Sequence, residues 1–395
     1  MKGVLVVHPQ FEVIGGAELV SARIMEWFLE NARMEVTLMT LLPVKISALV
    51  LAGMSESAAR RVNFRLANCP KYIMKSHAKF ELLKLAFLHR GARQICGDYD
   101  LCMSSYNELD FRRMGIQYIH HPSFADRSLL RELDILGSLS VLDAVPGANF
   151  LYRHLVSAIS GDRIDGFKRN ITLVNSYFMN YVLDRAYGMT GRVVYPAFLE
   201  GGTHSMEVEW DRRDLRFVSV GRIARDKKLL LLIDYFALLH NEFPTGEFVI
   251  AGRSSDLEYE RLVVEKANRF ELPLRILRDL TDQELKSILA ASKFYVHPKI
   301  NEHFGIAVLE AAASGCLTMV HNSGAGKEIV GSPLLLFNDG GDLLTKVKRL
   351  YEDNVLRSQV QAVLRSNLAK FTLEEFYSRL GEIFLPLINS IKKDV

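Results

Sequence analysis

Short runs of β-branched and aliphatic residues alternate with longer amphipathic stretches along the whole chain. "GVLVVHP" reads as a first buried strand, followed by a helical pattern from about Ala17 to Leu29 and the strand "EVTLMTL". "DLCMSS", "IQYIHH" and "ITLVNS" continue the series. After a turn-rich stretch around Gly201 and Gly202 the rhythm restarts with "RFVSVGR" and a helix through "LLLLIDYFALLH". The strands "GEFVIAG", "PLRIL", "FYVHP", "LTMVH" and "PLLLF" follow. Strands separated by helices of about ten residues or more predict parallel sheets of βαβ units. Two such series predict an α/β chain of two doubly wound, Rossmann-like domains facing a cleft. Pro, Gly, Thr and Ser cluster between Pro196 and Glu209 and set the boundary. The expected organisation is a first domain over 1–198, a second over 199–372 and a final helix over 373–395. That helix should pack back toward the first domain, and Pro386 should kink or interrupt it.

Composition narrows the class. A chain of 395 residues is long enough for two or three cores, and 49% apolar with 24% charged residues is an ordinary soluble balance. A formal net charge of +3 is too small to point to nucleic acid. Cys69, Cys96, Cys102 and Cys316 form no CxxC pair, which predicts a reducing, cytoplasmic setting rather than a disulfide framework. The N-terminal "MKGVLVVHPQ" has too short an apolar run for a secretory signal. No stretch approaches the roughly 18 apolar residues of a spanning helix. The longest, Ile135 to Ile159, is broken by Asp143, Pro146 and Arg153.

In open parallel sheets ligands bind beyond the carboxyl ends of the strands, and candidate chemistry falls at such places repeatedly. Gly15-Gly16 precedes the first helix, where glycine lets a ligand approach the backbone and helix N–H groups meet an anion. A tight strand–helix turn explains the pair equally well. The pattern is neither GxGxxG nor a P-loop. Gly221 is followed by Arg222, Arg225, Lys227 and Lys228, cations that suit a diphosphate or simply a solvated loop. "KINEHFGIAVLEAAASG" places Glu302 in a turn beside a helix N-terminus and Glu310 five residues into that helix. Carboxylates accept hydrogen bonds from hydroxyls and suit a sugar or a ribose. Favouring the helix dipole would explain Glu302 alone. It explains Glu310 less well, because Val308, Leu309 and Ala311 to Ala313 predict burial.

"EHFGIAVLE" resembles the E-x7-E signature of retaining glycosyltransferases of the GT-B fold, family 4. "GGAE" resembles that family's N-domain glycine loop, and "VGR" with "DKK" its diphosphate clamp. "NEHFGIAVLEAAASG", "HNSGAGKEIV", "YIHHP", "LVNSYF" and "VVYPAF" are most similar to lipid-linked oligosaccharide α-1,2-mannosyltransferases, which use GDP-mannose. The resemblance implies that Glu302 binds donor-sugar hydroxyls and Glu310 the nucleotide ribose. Phe304, Gly305 and Ile306 would offer backbone N–H groups to the sugar, Arg222 and Lys227 would hold the diphosphate, and Gly16 would contact it from the first domain. Arg225 competes with Arg222 for the clamp. His120 matches a family histidine near sugar and acceptor, although the doublet His120-His121 leaves that assignment open by one residue. The chain departs from the family in having Lys228 where a glycine usually follows the clamp lysine. It also has Arg253-Ser254-Ser255 in place of a glycine-rich turn.

The resemblance implies metal-independent catalysis, a nucleotide-diphosphate sugar as donor, and a lipid-linked sugar or glycolipid as acceptor. Asp98-Tyr99-Asp100 could be taken for a metal-binding DxD, but it stands just before a strand, where acidic residues commonly end a loop. From Lys71 to Arg93 a basic helix with Phe80, Leu83 and Phe87 could lie on an anionic membrane face, the expected docking place for a lipid acceptor. An ordinary domain helix fits the same residues. Two other functions stay open: an epimerase or glycogen-type synthase on the same fold, and a catalytically silent sugar-nucleotide binder.

Overall fold

The computed structural model describes residues 3–75, 80–135, 148–197, 208–254 and 256–393. Two compact units emerge, the first comprising Met1–Arg131, Leu139–Ala197 and Glu374–Val395, the second Glu132–Ser138 and Phe198–Leu373. Residues 198–207, within the turn-rich boundary stretch, lie outside the described residues.

The first unit is built on the strands β1 (Val4–Val7), β2 (Val36–Thr40), β3 (Asn63–Leu66), β4 (Leu101–Ser104), β5 (Ile116–Ile119), β6 (Ile171–Val174) and β7 (Arg192–Val193). They pair in parallel in the order β3-β2-β1-β4-β5-β6-β7. The central strands are buried along their whole length, which is why they read as continuous apolar runs. β3 escaped the sequence reading. It is an edge strand, exposed at all four positions, so Asn63, Phe64, Arg65 and Leu66 carry no burial signal.

The helix Leu373–Lys393 packs on the helix Gly16–Glu30. The Trp27 indole donates to the Tyr377 carbonyl at 3.1 Å, the Tyr377 hydroxyl donates to Glu26 at 2.9 Å, and Phe28 stacks on Phe384 with centroids 5.0 Å apart. Pro386 lies inside this helix and does not interrupt it. The basic stretch from Lys71 is not one helix: Lys71–Met74 and Glu81–Ile95 are separate, and Lys79 lies outside the described residues. Leu83 and Phe87 face Val156 and Ile159 of the helix Ala148–Ser160, and Arg93 donates to Asp162. Of the apolar residues expected to meet a bilayer, Leu83 and Phe87 are therefore spent on the unit's own core, while Phe80 is exposed. Among the described residues no helix is long and apolar enough to cross a membrane.

The second unit uses β8 (Asp214–Val220), β9 (Glu247–Ala251), β10 (Leu274–Leu277), β11 (Ser292–His297), β12 (Leu317–His321) and β13 (Leu336–Phe337). Their order is β10-β9-β8-β11-β12-β13, again parallel. Phe217 on β8 faces Phe248 on β9 and Phe294 on β11, stacked at 5.2 and 5.3 Å, and this aromatic ladder fixes register across the three central strands. Both sheets reverse direction of growth once, between β1 and β4 and between β8 and β11, and such reversals open crevices at the strands' carboxyl ends.

Candidate active site

In the second unit the reversal point brings two distant segments together. β8 ends at Val220, and a single 3-10 turn, Arg225–Lys227, follows before the helix Leu229–Glu242. β11 ends at His297, and its loop leads into the helix Ile306–Ala313. Because β8 and β11 are neighbours, Lys227 and Glu302 meet although 75 residues separate them: the Lys227 Nζ donates to Glu302 Oε2 at 3.0 Å.

Glu302 is 7% exposed and fully engaged. His297 Nε2 lies 3.1 Å from Oε2, Lys299 Nζ donates to Oε1 at 3.2 Å, and the His303 N–H donates to Oε1 at 3.0 Å. A carboxylate only accepts, so Nε2 of His297 carries hydrogen, and its Nδ1 lies 3.2 Å from the Tyr295 hydroxyl, which also reaches the Val220 carbonyl at 3.4 Å. Burial alone would raise the Glu302 carboxyl. Lys227, His297 and Lys299 overcome it and hold the group well below the usual carboxylate range. The backbone is fixed as firmly. Ala325 N–H donates to the Glu302 carbonyl at 2.9 Å, and Asn301 N–H to Ser323 Oγ at 2.9 Å. Gly324, at φ +66°, lies so close that a Cβ there would stand 2.5 Å from the Glu302 nitrogen. The "HNSGAGKEIV" segment is thus the bed on which the Glu302 turn rests.

Gly305 caps the Ile306–Ala313 helix at φ +94°, and a side chain there would press on Val308 and Glu302. The first N–H groups of a helix have no acceptor within it, so the backbone of Gly305 and Ile306 presents a partial positive charge beside the Glu302 turn. Phe304 contributes its backbone only, since its ring is buried against Phe371 at 5.9 Å. Glu310 has no hydrogen-bond donor on its carboxylate among the described residues. Burial, reinforced by Asp282, pushes its carboxyl up to about 7.

The expected clamp is brought together only in part. Lys227 reaches Glu302, but Arg225 turns away, donating to Asp256 at 3.0 Å and lying over the Tyr259 ring at 5.3 Å. That pairing spends Arg225 on the Asp256 cap of the helix Leu257–Arg269. Arg222 is exposed and 3.5 Å from Asp226. Sequence reasoning passed over His297 and Lys299. The signal was present in "FYVHPKINE", where a histidine closes a buried strand and a lysine stands three residues before the glutamate.

In the first unit Gly15 caps the Gly16–Glu30 helix in an extended conformation. Its N–H, expected to be open to an anion, is donated to Glu18 Oε2 at 2.9 Å. Glu18 Oε1 lies 3.2 Å from His8 Nε2, and His8 Nδ1 lies 3.1 Å from Ser105 Oγ. His120, just past β5, places Nε2 3.2 Å from the Ser105 carbonyl. Gly15 and His120 therefore sit at two ends of one hydrogen-bonded chain across the reversal point. Burial and the neighbouring His8 lower His120 to about 3, so it is a neutral imidazole whose Nε2–H donates to Ser105. His121 instead places Nδ1 3.0 Å from Asn107 Nδ2. Asp100 accepts the Gly3 N–H at 3.1 Å, a structural use at the head of β4.

Residues 203–365 match the family Glycosyl transferases group 1. The chain is 27% identical over 261 residues to the GDP-Man:Man(3)GlcNAc(2)-PP-Dol alpha-1,2-mannosyltransferase of Mus musculus, covering 58% of this chain and 50% of that protein. It is 30% identical over 106 residues to the GDP-mannose:cellobiosyl-diphosphopolyprenol alpha-mannosyltransferase of Komagataeibacter xylinus, 27% of each. The chain thus spans about half the length, or less, of these relatives. Its fold is similar to that of WaaG, a glycosyltransferase involved in lipopolysaccharide biosynthesis, at a TM-score of 0.66 and 12% identity over 96% of this chain and 99% of that one. Within a chain that has the GT-B fold, it is thus the segment from 203 to 365 that matches the glycosyl transferases group 1.

Proposed function

We propose that the protein is a retaining glycosyltransferase that moves mannose from GDP-mannose to a lipid-linked sugar or glycolipid. The observation that carries this reading is the pairing of Lys227 with Glu302 beside the N-terminal end of the helix Ile306–Ala313, which also bears Glu310, within the segment matched to the family. The names of the mouse and Komagataeibacter relatives support mannose and a lipid-linked acceptor.

In this reading Lys227 and the N–H groups of Gly305 and Ile306 meet the charge that develops on the departing diphosphate. Glu302 accepts from donor-sugar hydroxyls and Glu310 from the ribose. Glu302 is no nucleophile, since four donors already occupy its oxygens and hold it in place. The bond from the anomeric carbon to the diphosphate oxygen breaks as the acceptor oxygen bonds to the same face. The acceptor proton passes to the departing phosphate. His120, neutral, positions the sugar or acceptor through a hydrogen bond rather than as a cation. Arg222 completes the diphosphate contacts, and Arg225 joins them only by leaving Asp256. The acceptor's lipid is served by a cytoplasmic membrane face, where the exposed Lys71, Lys75 and Arg90 meet anionic headgroups.

The test is transfer from GDP-mannose to a polyprenyl-diphosphate oligosaccharide, with UDP-glucose as competing donor and product anomer read by NMR. An α-mannosyl product supports the reading. Donor conversion without an acceptor, or an inverted product, would sink it.

A further inference from the structure

We propose that Lys227 is an exchangeable cation, held by Glu302 until a donor diphosphate takes it, and that Lys299 is the positioning residue that keeps Glu302 paired when it leaves. The proposal rests on the donor reading above and concerns how the same site is loaded.

The cluster holds two ammonium groups for one carboxylate. Lys227 donates to Oε2 and Lys299 to Oε1, while His297 contributes a neutral N–H. One cation is therefore in excess, and their exposures identify it. The Lys227 side chain is 22% exposed and that of Lys299 10%, beside a Glu302 side chain at 9%. Lys227 also rides on a single 3-10 turn, from which a four-carbon stem can swing without moving either strand. Lys299 has no such freedom, and without Glu302 it would be a buried, unpaired charge.

When Lys227 departs, Oε2 keeps His297, and Oε1 keeps Lys299 and the His303 N–H. One carboxylate then faces one ammonium, a neutral pair with an acceptor site newly open on Oε2. A sugar hydroxyl can fill that site. Diphosphate capture and sugar capture are thereby coupled through one carboxylate oxygen. Arg225 and Arg222 cannot substitute as the exchanged cation, because their partners are Asp256 and Asp226, not Glu302.

A double-mutant cycle decides the matter, with GDP and UDP titrated calorimetrically into the unmodified protein, Glu302→Gln, Lys299→Met and the double variant. Glu302→Gln should bind the nucleoside diphosphate about 5-fold tighter while losing sugar transfer, since an amide holds Lys227 weakly. Lys299→Met should weaken binding about 10-fold when Glu302 is present and by less than about 2-fold in the Glu302→Gln background. Lys299→Arg should restore the affinity, and it carries the test if Lys299→Met does not fold. Equal losses in both backgrounds would mean a merely structural lysine and overturn the exchange. So would weaker nucleotide binding by Glu302→Gln. Failure of the unmodified chain to bind either nucleotide would overturn the donor reading along with this one, whereas binding without coupling would overturn this one alone.

Discussion

The carboxyl of Glu310 titrates near neutrality because burial and Asp282 outweigh Lys286. Between its ordinary value of 4.5 and about 7, the folded chain keeps a proton that the unfolded chain has lost. The group therefore lowers stability as pH rises through that window, and the loss is complete above about 7. Only the ionised form is a pure acceptor for ribose hydroxyls, so nucleotide affinity should rise about 10-fold from pH 6 to pH 8. Glu310→Gln should flatten that profile in a calorimetric titration. An unchanged slope would remove Glu310 from the site. His120, lowered to about 3, stays neutral throughout and adds no limb to the profile. At this scale the spacing of the two glutamates and Lys227 along the chain is itself a pattern, and the structure brings Lys227 and Glu302 of that pattern together. His297 and Lys299 were not legible, since their roles follow from where a buried strand ends and which way a turn folds back on it. Arg225 was misleading for a related reason: its competitor, Asp256, lies 31 residues away and becomes a neighbour only through the sheet.

At the scale of elements, the central strands legible in sequence were buried ones, β10 was read from "PLRIL" although none of its positions is fully buried, and β3, exposed at every position, was invisible. Pro386 shows the opposite failure, a strong local signal overridden by packing. Phe384, Leu380 and Ile388 are buried along the helix and hold it continuous despite the missing N–H. Phe384→Ala should accordingly cost about 3–5 kcal/mol in a denaturant melt followed by Trp27 fluorescence. A loss under about 1 kcal/mol would show that the helix is not anchored there. The turn bearing Glu302 depends on Gly324 in a different way, through closeness rather than burial. Gly324→Ala adds a Cβ at left-handed φ against the Glu302 nitrogen. It should cost about 1–3 kcal/mol of stability and displace the carboxylate, lowering nucleotide affinity as well. A variant with the stability loss but normal affinity would separate the turn from the site.

For the whole molecule, the α/β alternation was legible from one end of the sequence to the other, and the rules of parallel crossovers restrict, without fixing, the strand order of each sheet. What the alternation does not record is how the chain threads its two units. Gly3 and the helix ending at Lys393 both belong to the first, while both pieces of the second, Glu132–Ser138 and Phe198–Leu373, lie between Gly3 and Glu374 in sequence. The second unit is in effect an insertion. A tensile load applied between Gly3 and Lys393 would fall first on the contacts of Trp27 and Phe28 with Phe384. The second unit would carry no load until that helix had peeled away.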